Sequence, residues 1–196
     1  LEPQALENLC ALIQQGSLLG QEDGAQSLMA QHYCELGLEV TRLPINEAKA
    51  SKHPAWSPSL VSYDGRANVI GVHRPRGETK GKSLILNGHI DVVPVGAESL
   101  WTQPPFAPWR DGDRLYGRGS ADMKAGLVAC ITAMQALNKL GFEPAAEVIL
   151  QSVIEEECTG NGALACLVEG YTAEAALIPE PLNGIMTAQM GVMWLS

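Results

Sequence analysis

Apolar residues recur along this chain at two spacings, and the switches between them mark its elements. Leu6, Leu9, Leu12 and Ile13 share one face of a helical period, and Pro3 suits the turn before them, which predicts an opening helix. Gly16 and Gly20 then loosen the chain. A second amphipathic helix is predicted from Asp23 to Leu36, with Leu28, Met29, Tyr33 and Leu36 inward and Gly37 closing it. Residues 38–44 alternate and read as a half-buried strand. Residues 46–66 are polar, contain Pro and Ser and show no period, which predicts a loop or excursion.

Beyond that point the apolar residues come in short unbroken runs, the pattern of strands buried on both faces. Runs at 67–72, 83–87, 148–154, 175–178 and 191–195 predict strands, and helices are predicted at 121–140 and 162–169. Leu127, Cys130, Ile131, Met134 and Leu137 would face inward from the longer helix, which Gly141 stops. Between 95 and 119, Trp101, Pro104, Pro105, Phe106, Pro108 and Trp109 sit among glycines in a stretch too irregular for a helix. Strands alternating with helices predict an α/β fold with a mixed, largely parallel central sheet flanked by helices.

Composition narrows the class. The 196 residues are 46% hydrophobic, enough to bury on the order of 70% of the unfolded surface in one domain. The formal charge of -9, from 13 basic and 22 acidic residues, excludes the basic stripe that a nucleic-acid surface needs. No apolar run approaches the roughly 18 residues of a membrane span, and the first residues lack the form of a signal peptide, so no membrane partner is expected. The chain opens without Met, which reads as a trimmed product. Cys10, Cys34, Cys130, Cys158 and Cys166 are widely spaced with no CxxC pair, which points to a reducing, cytoplasmic setting and to neither disulfides nor a thiolate zinc site.

The chemistry sits where apolar runs end. His89 and Asp91 close the run of residues 84–90, two positions apart and pointing the same way if the strand continues. Asp91 is then placed to accept the second N–H of the imidazole and fix its tautomer. Asp122 follows Gly117 and Gly119 at a helix entry, the triplet Glu155-Glu156-Glu157 follows the run of residues 148–154, and Glu180 stands between Pro179 and Pro181 after residues 175–178. Each has a plain reading alone: a surface histidine, a helix N-cap, a solvated acidic loop, a surface turn. Together they place imidazole and carboxylates at successive strand exits, which is where α/β proteins gather ligands and where a metal site is expected. In the triplet, neighbouring side chains face different ways, so one can bind a metal while the next serves as a base.

The blocks Gly88-His89-Ile90-Asp91-Val92-Val93-Pro94, then residues 116–126 from Tyr116 to Gly126, then Glu155-Glu156-Glu157 with Gly160 and Gly162, then Glu180-Pro181, occur in that order. They closely resemble the dizinc amidohydrolases that include acetylornithine deacetylase, succinyl-diaminopimelate desuccinylase, aminoacylase and carboxypeptidase G. Trp101-Thr102 and Pro105-Phe106 look like the deacetylase branch.

The resemblance implies a zinc-peptidase-like α/β/α sandwich holding two Zn2+, with Co2+ or Mn2+ as substitutes. His89 and Glu180 would hold one zinc, Asp122 would bridge both and Glu157 would hold the other. Asp91 would orient His89, and Glu156 would be the general base. Glu155 stands where such enzymes usually have Asp, so base and ligand could be displaced by one residue. A cis peptide is implied at Asp122-Met123. Metal-assisted amide hydrolysis of a small N-acyl amino acid or peptide would follow, in a full-length homodimer.

The resemblance also implies a further histidine ligand and an inserted lid or dimerisation domain, neither of which residues 1–196 contain. They are therefore expected to form part of a catalytic domain, inactive alone. His32, His53 and His73 match no ligand position. A dipeptidase or carboxypeptidase on the same scaffold, and a catalytically dead homologue, are the competing readings.

Overall fold

The computed structural model describes residues 1–182. Its strands are β1 (Glu39–Pro44), β2 (Ala67–His73), β3 (Leu84–His89), β4 (Trp109–Asp111), β5 (Arg114–Tyr116), β6 (Val148–Val153) and β7 (Ala175–Leu177). Five of them form one sheet in the order β1-β2-β6-β3-β7, and β4 and β5 form a separate hairpin. The pairs β3–β6 and β3–β7 are parallel, whereas β1–β2 and β2–β6 are antiparallel. The sheet is thus mixed, as expected, with its parallel half carrying the later blocks of the sequence.

Among the described residues the α-helices are α1 (Glu2–Gln14), α2 (Asp23–Glu35), α3 (Glu47–Ala50), α4 (Lys124–Lys139) and α5 (Asn161–Val168). Strand side chains alternate between faces, so neighbouring residues enter different cores. Val69, Leu86 and Leu150 pack with Leu12, Met29, Tyr33, Leu127 and Ile131 from α1, α2 and α4. Ile70, Val72, Ile149 and Val153 turn the other way, towards Cys166 of α5. Every residue of β6 is buried, as its place in the middle of the sheet requires. Side chains such as Leu12, Ile131 and Leu150 have no exposed surface, and each contributes about 1.5–3 kcal/mol by leaving water.

Three predicted boundaries moved. The long helix starts at Lys124, three residues later than its apolar pattern suggests, because residues 117–123 form turns that include a cis peptide at Asp122-Met123. The irregular aromatic stretch contains a hairpin, closed by a two-residue turn at Gly112-Asp113 and faced by Trp109 stacked on Tyr116 at 4.4 Å. The excursion of residues 46–66 holds α3 and buries Ala50, Tyr63 and Arg66, so it belongs to the core. The strand expected at 191–195 lies outside the described residues.

One close approach positions the turn after β6. A Cβ on Gly162, in the first turn of α5, would lie 2.0 Å from the carbonyl oxygen of Ile154, and only backbone could yield. Gly162→Ala is therefore expected to destabilise the fold by about 1–3 kcal/mol, read as a lowered midpoint in thermal or urea unfolding. An unchanged midpoint would show that α5 is not seated against the strand end.

Candidate metal centre

Parallel strands leave the sheet at the same edge. His89 at the end of β3 pairs with Val153 at the end of β6, and β7 lies on the far side of β3 in the same direction. The segments that follow therefore emerge together: Ile90 to Pro94, Ile154 to Gly160, and Ile178 to Leu182. Asp122 joins them from the turns before α4. A Cβ on Gly126, in the first turn of α4, would stand 2.5 Å from the carbonyl oxygen of Pro179. The bare glycine lets the Glu180 segment lie directly against the helix that follows Asp122.

His89 is 1% exposed, and its Nε2 is the centre of the cluster. Asp122 Oδ1 lies 3.0 Å from it, and Glu156 Oε2 and Glu180 Oε1 both lie 3.8 Å away. Potential ligand atoms of His89, Asp122 and Glu157 all fall within 4.8 Å of one another. Ligand atoms about 2 Å from a common zinc ion sit roughly 3–4 Å apart, so the spacing around His89 Nε2 suits such an ion. The donor set, one imidazole with carboxylates, suits zinc as well.

Electrostatics agree with the donor set. Partial burial, then the charge of Asp122, push the Glu157 carboxyl up to about 7. Glu180 is also raised, by burial and by Asp122 and Glu156, against the pull of His89. Burial opposes protonation of His89, yet the carboxylates of Asp91, Glu156 and Glu180 outweigh it and raise its pKa. A cation at this point would pull the raised groups, Glu157, Glu180 and His89, back towards their deprotonated forms.

Asp91 acts differently from expectation. His89 Nδ1 is 2.9 Å from the backbone carbonyl of Asp91 and 3.7 Å from its carboxylate, so the carbonyl is the group placed to accept the ring N–H. The carboxylate instead accepts the backbone N–H groups of Glu156 and Glu157 at 3.2 and 3.1 Å. Asp91 thus ties the end of β3 to the acidic turn after β6. Its carboxyl is raised by burial, and His89 with these two N–H groups pulls it back down.

Glu155 is separated from its neighbours. Its backbone has φ 63°, in the left-handed region that costs a non-glycine residue about 1–3 kcal/mol, and its side chain is fully buried away from the cluster. Tyr63 and Thr159 donate to Oε2 at 2.5 and 2.7 Å, and Arg66 donates to Oε1 at 2.7 Å. Arg66 also forms a two-pronged pair with buried Glu22, at 3.0 and 2.5 Å. Both carboxylate oxygens of Glu155 are thus engaged away from His89, whereas Glu156 Oε2 lies 3.8 Å from His89 Nε2.

Lys124 was not singled out by the sequence pattern, yet it is fully buried two residues past Asp122. Its Nζ donates at 2.8 Å to the carbonyl of Leu12, in the last turn of α1, where a cation meets the negative end of the helix dipole. Burial pulls its pKa down to about 8. His73 pairs with Val148 at the opposite end of β6, and neither His32 nor His53 joins the His89 group. A cavity of about 200 Å³ lined by Val93, Arg118, Ser120, Asp122 and Glu157 adjoins the cluster. A larger one of about 470 Å³ lies at the far sheet end, beside His73, Arg74 and Phe142.

Comparison with known proteins places this geometry in a family. Residues 85–191, just over half of the chain, match the profile of peptidase family M20/M25/M40. The N-formyl-4-amino-5-aminomethyl-2-methylpyrimidine deformylase of Halalkalibacterium halodurans is 37% identical over 136 residues, covering 68% of this chain and 32% of that protein. The succinyl-diaminopimelate desuccinylase of Acidovorax ebreus is 27% identical over 184 residues, 91% of this chain and 44% of its own length. Among solved structures, the M20 metallo-carboxypeptidase Sso-CP2 of Sulfolobus solfataricus has TM-score 0.68 at 20% identity, over 89% of this chain and 37% of that one. Human carnosine dipeptidase 1 gives 0.68 at 19%, over 90% and 38%. The chain spans between about a third and just under half of the length of these relatives. With the matched blocks carrying His89, Asp122, the glutamate triplet and Glu180, the chain belongs to peptidase family M20/M25/M40.

Proposed function

We propose that this chain supplies part of the catalytic domain of a zinc-dependent deacylase, one that hydrolyses the amide of a small N-acylated amino acid or related compound. The observation that carries the reading is the gathering of Asp122, Glu156 and Glu180 within 3.8 Å of one buried imidazole nitrogen at a shared strand edge. The deformylase and desuccinylase relatives support an acyl substrate over a peptide. The cavity of about 200 Å³ at Asp122 and Glu157 has room for a short acyl group.

In this reading His89 and Glu180 would hold one zinc ion and Glu157 a second, with Asp122 available to both. Cobalt or manganese could stand in, and the working form is a cytoplasmic homodimer. Bound there, the ions supply positive charge that polarises an amide carbonyl and lowers the pKa of water. Glu156 is the base: half-exposed, with Oε2 free of hydrogen-bond donors among the described residues, it takes a proton from water and returns it to the leaving nitrogen. Asp91 holds the backbone of Glu156 and Glu157, and its carbonyl keeps the proton on His89 Nδ1 so that Nε2 offers its lone pair.

Zinc-loaded full-length protein, screened against N-acetyl, N-succinyl and N-formyl amino acids and dipeptides, is expected to turn over an acyl amino acid. Hydrolysis of dipeptides alone would move the assignment to the dipeptidases, and zinc binding at neither subsite would make it an inactive homologue. Glu156→Ala is expected to abolish turnover with zinc content nearly intact; loss of zinc instead would exchange its role with that of Glu157. Asp91→Ala is expected to lower activity or zinc affinity by roughly 10–100-fold.

The raised groups set a pH dependence. Glu157 at about 7 lies above its usual 4.5, and His89 lies above 6.5, so both stabilise the metal-free fold when protonated and lose that contribution as pH rises through those values. A cation needs both deprotonated, so its binding strengthens over the same window. Between about pH 5 and about pH 8 the thermal midpoint of the metal-free protein should fall while the increment produced by added zinc grows. A zinc increment independent of pH would argue against Glu157 and His89 as ligands.

A further inference from the structure

The buried acid Glu155 lies outside the metal cluster, yet it has the most elaborate surroundings of any carboxylate near it. We propose that Glu155 is a positioning residue for the hydrolysis: its grip by Tyr63, Arg66 and Thr159 fixes the turn that sends Glu156 and Glu157 to their separate places. This rests on the role of those two residues given under Proposed function.

In relaxed extended backbone, consecutive side chains alternate, and Glu155 would share a side with Glu157. At Glu155 the backbone instead enters the left-handed region, φ 63°, which a glutamate adopts only when its surroundings demand it. The demand comes from two directions. Below the turn, Tyr63, Thr159 and Arg66 hold both carboxylate oxygens, and Arg66 is anchored in turn by Glu22 at the start of α2. The N–H groups of Thr159 and Gly160 close back on the Glu155 carbonyl at 3.0 and 2.7 Å. Above it, the Asp91 carboxylate holds the next two N–H groups. Release of the lower clamp frees the turn to relax, which redirects the base and the ligand together and brings the remaining carboxylate of the triplet towards His89.

Tyr63→Phe and Thr159→Val each remove one donor to the same oxygen with little change in shape, whereas Glu155→Ala would endanger folding. In the full-length zinc protein each variant is expected to lower kcat and zinc affinity about 10-fold, with KM within about 2-fold. Their double variant should cost less than the product of the two, because both act through Oε2. The visible absorption of the cobalt-substituted protein should shift in Tyr63→Phe, reporting altered ligation without reference to turnover. Normal kcat, zinc affinity and cobalt spectrum beside a lowered thermal midpoint would overturn the proposal and leave Glu155 a structural prop. A wild-type protein that neither binds zinc nor hydrolyses any acyl substrate would overturn the functional reading and this proposal together.

Discussion

The parallel register of β3 against β6 is the constraint on which the site depends. Pairing His89 with Val153 makes both strands end at the same height, so the imidazole and the acidic triplet leave the sheet side by side. A one-residue slip would turn every side chain of one strand to the opposite face and take His89 out of the cluster. That register is enforced by burial: Leu86 and Leu150 must meet the α1, α2 and α4 core while Ile149 and Val153 meet the core under α5. The hydrophobic pattern that builds the two cores is therefore also what aligns the chemistry.

Much of this was legible in the sequence. Short apolar runs located β2, β3, β6 and β7 within a residue or two; in β2 and β6 the run is unbroken because the strand is buried on both faces, whereas the short edge strand β7 is exposed. The chemically loaded residues stood just beyond those runs, and the parallel half of the sheet brought His89, Asp122, Glu156, Glu157 and Glu180 together at one edge. The hairpin β4–β5 was concealed by the prolines and aromatics around it, although its two-residue loop, Gly112-Asp113, is a turn signal that could have found it.

What remained hidden depends on partners distant in sequence. Tyr63 and Arg66 lie in a stretch with no period, and their significance comes from Glu155, 92 and 89 residues away. No local pattern records such a bond. The exchange of roles at Asp91, carbonyl to the imidazole and carboxylate to the acidic turn, was hidden for the same reason: spacing fixes which side chain is near, and the backbone path decides which atom arrives.

The ammonium of Lys124 gives the opening helix a role beyond covering the sheet. A dry cation resting on the last turn of α1 would be stranded if that helix were missing, and a stranded charge is far costlier than an absent one. Residue 124 and the first helix should accordingly be inherited as a unit. A homologue that has shed the helix is expected to carry an uncharged side chain two residues after the aspartate that stands at position 122 here.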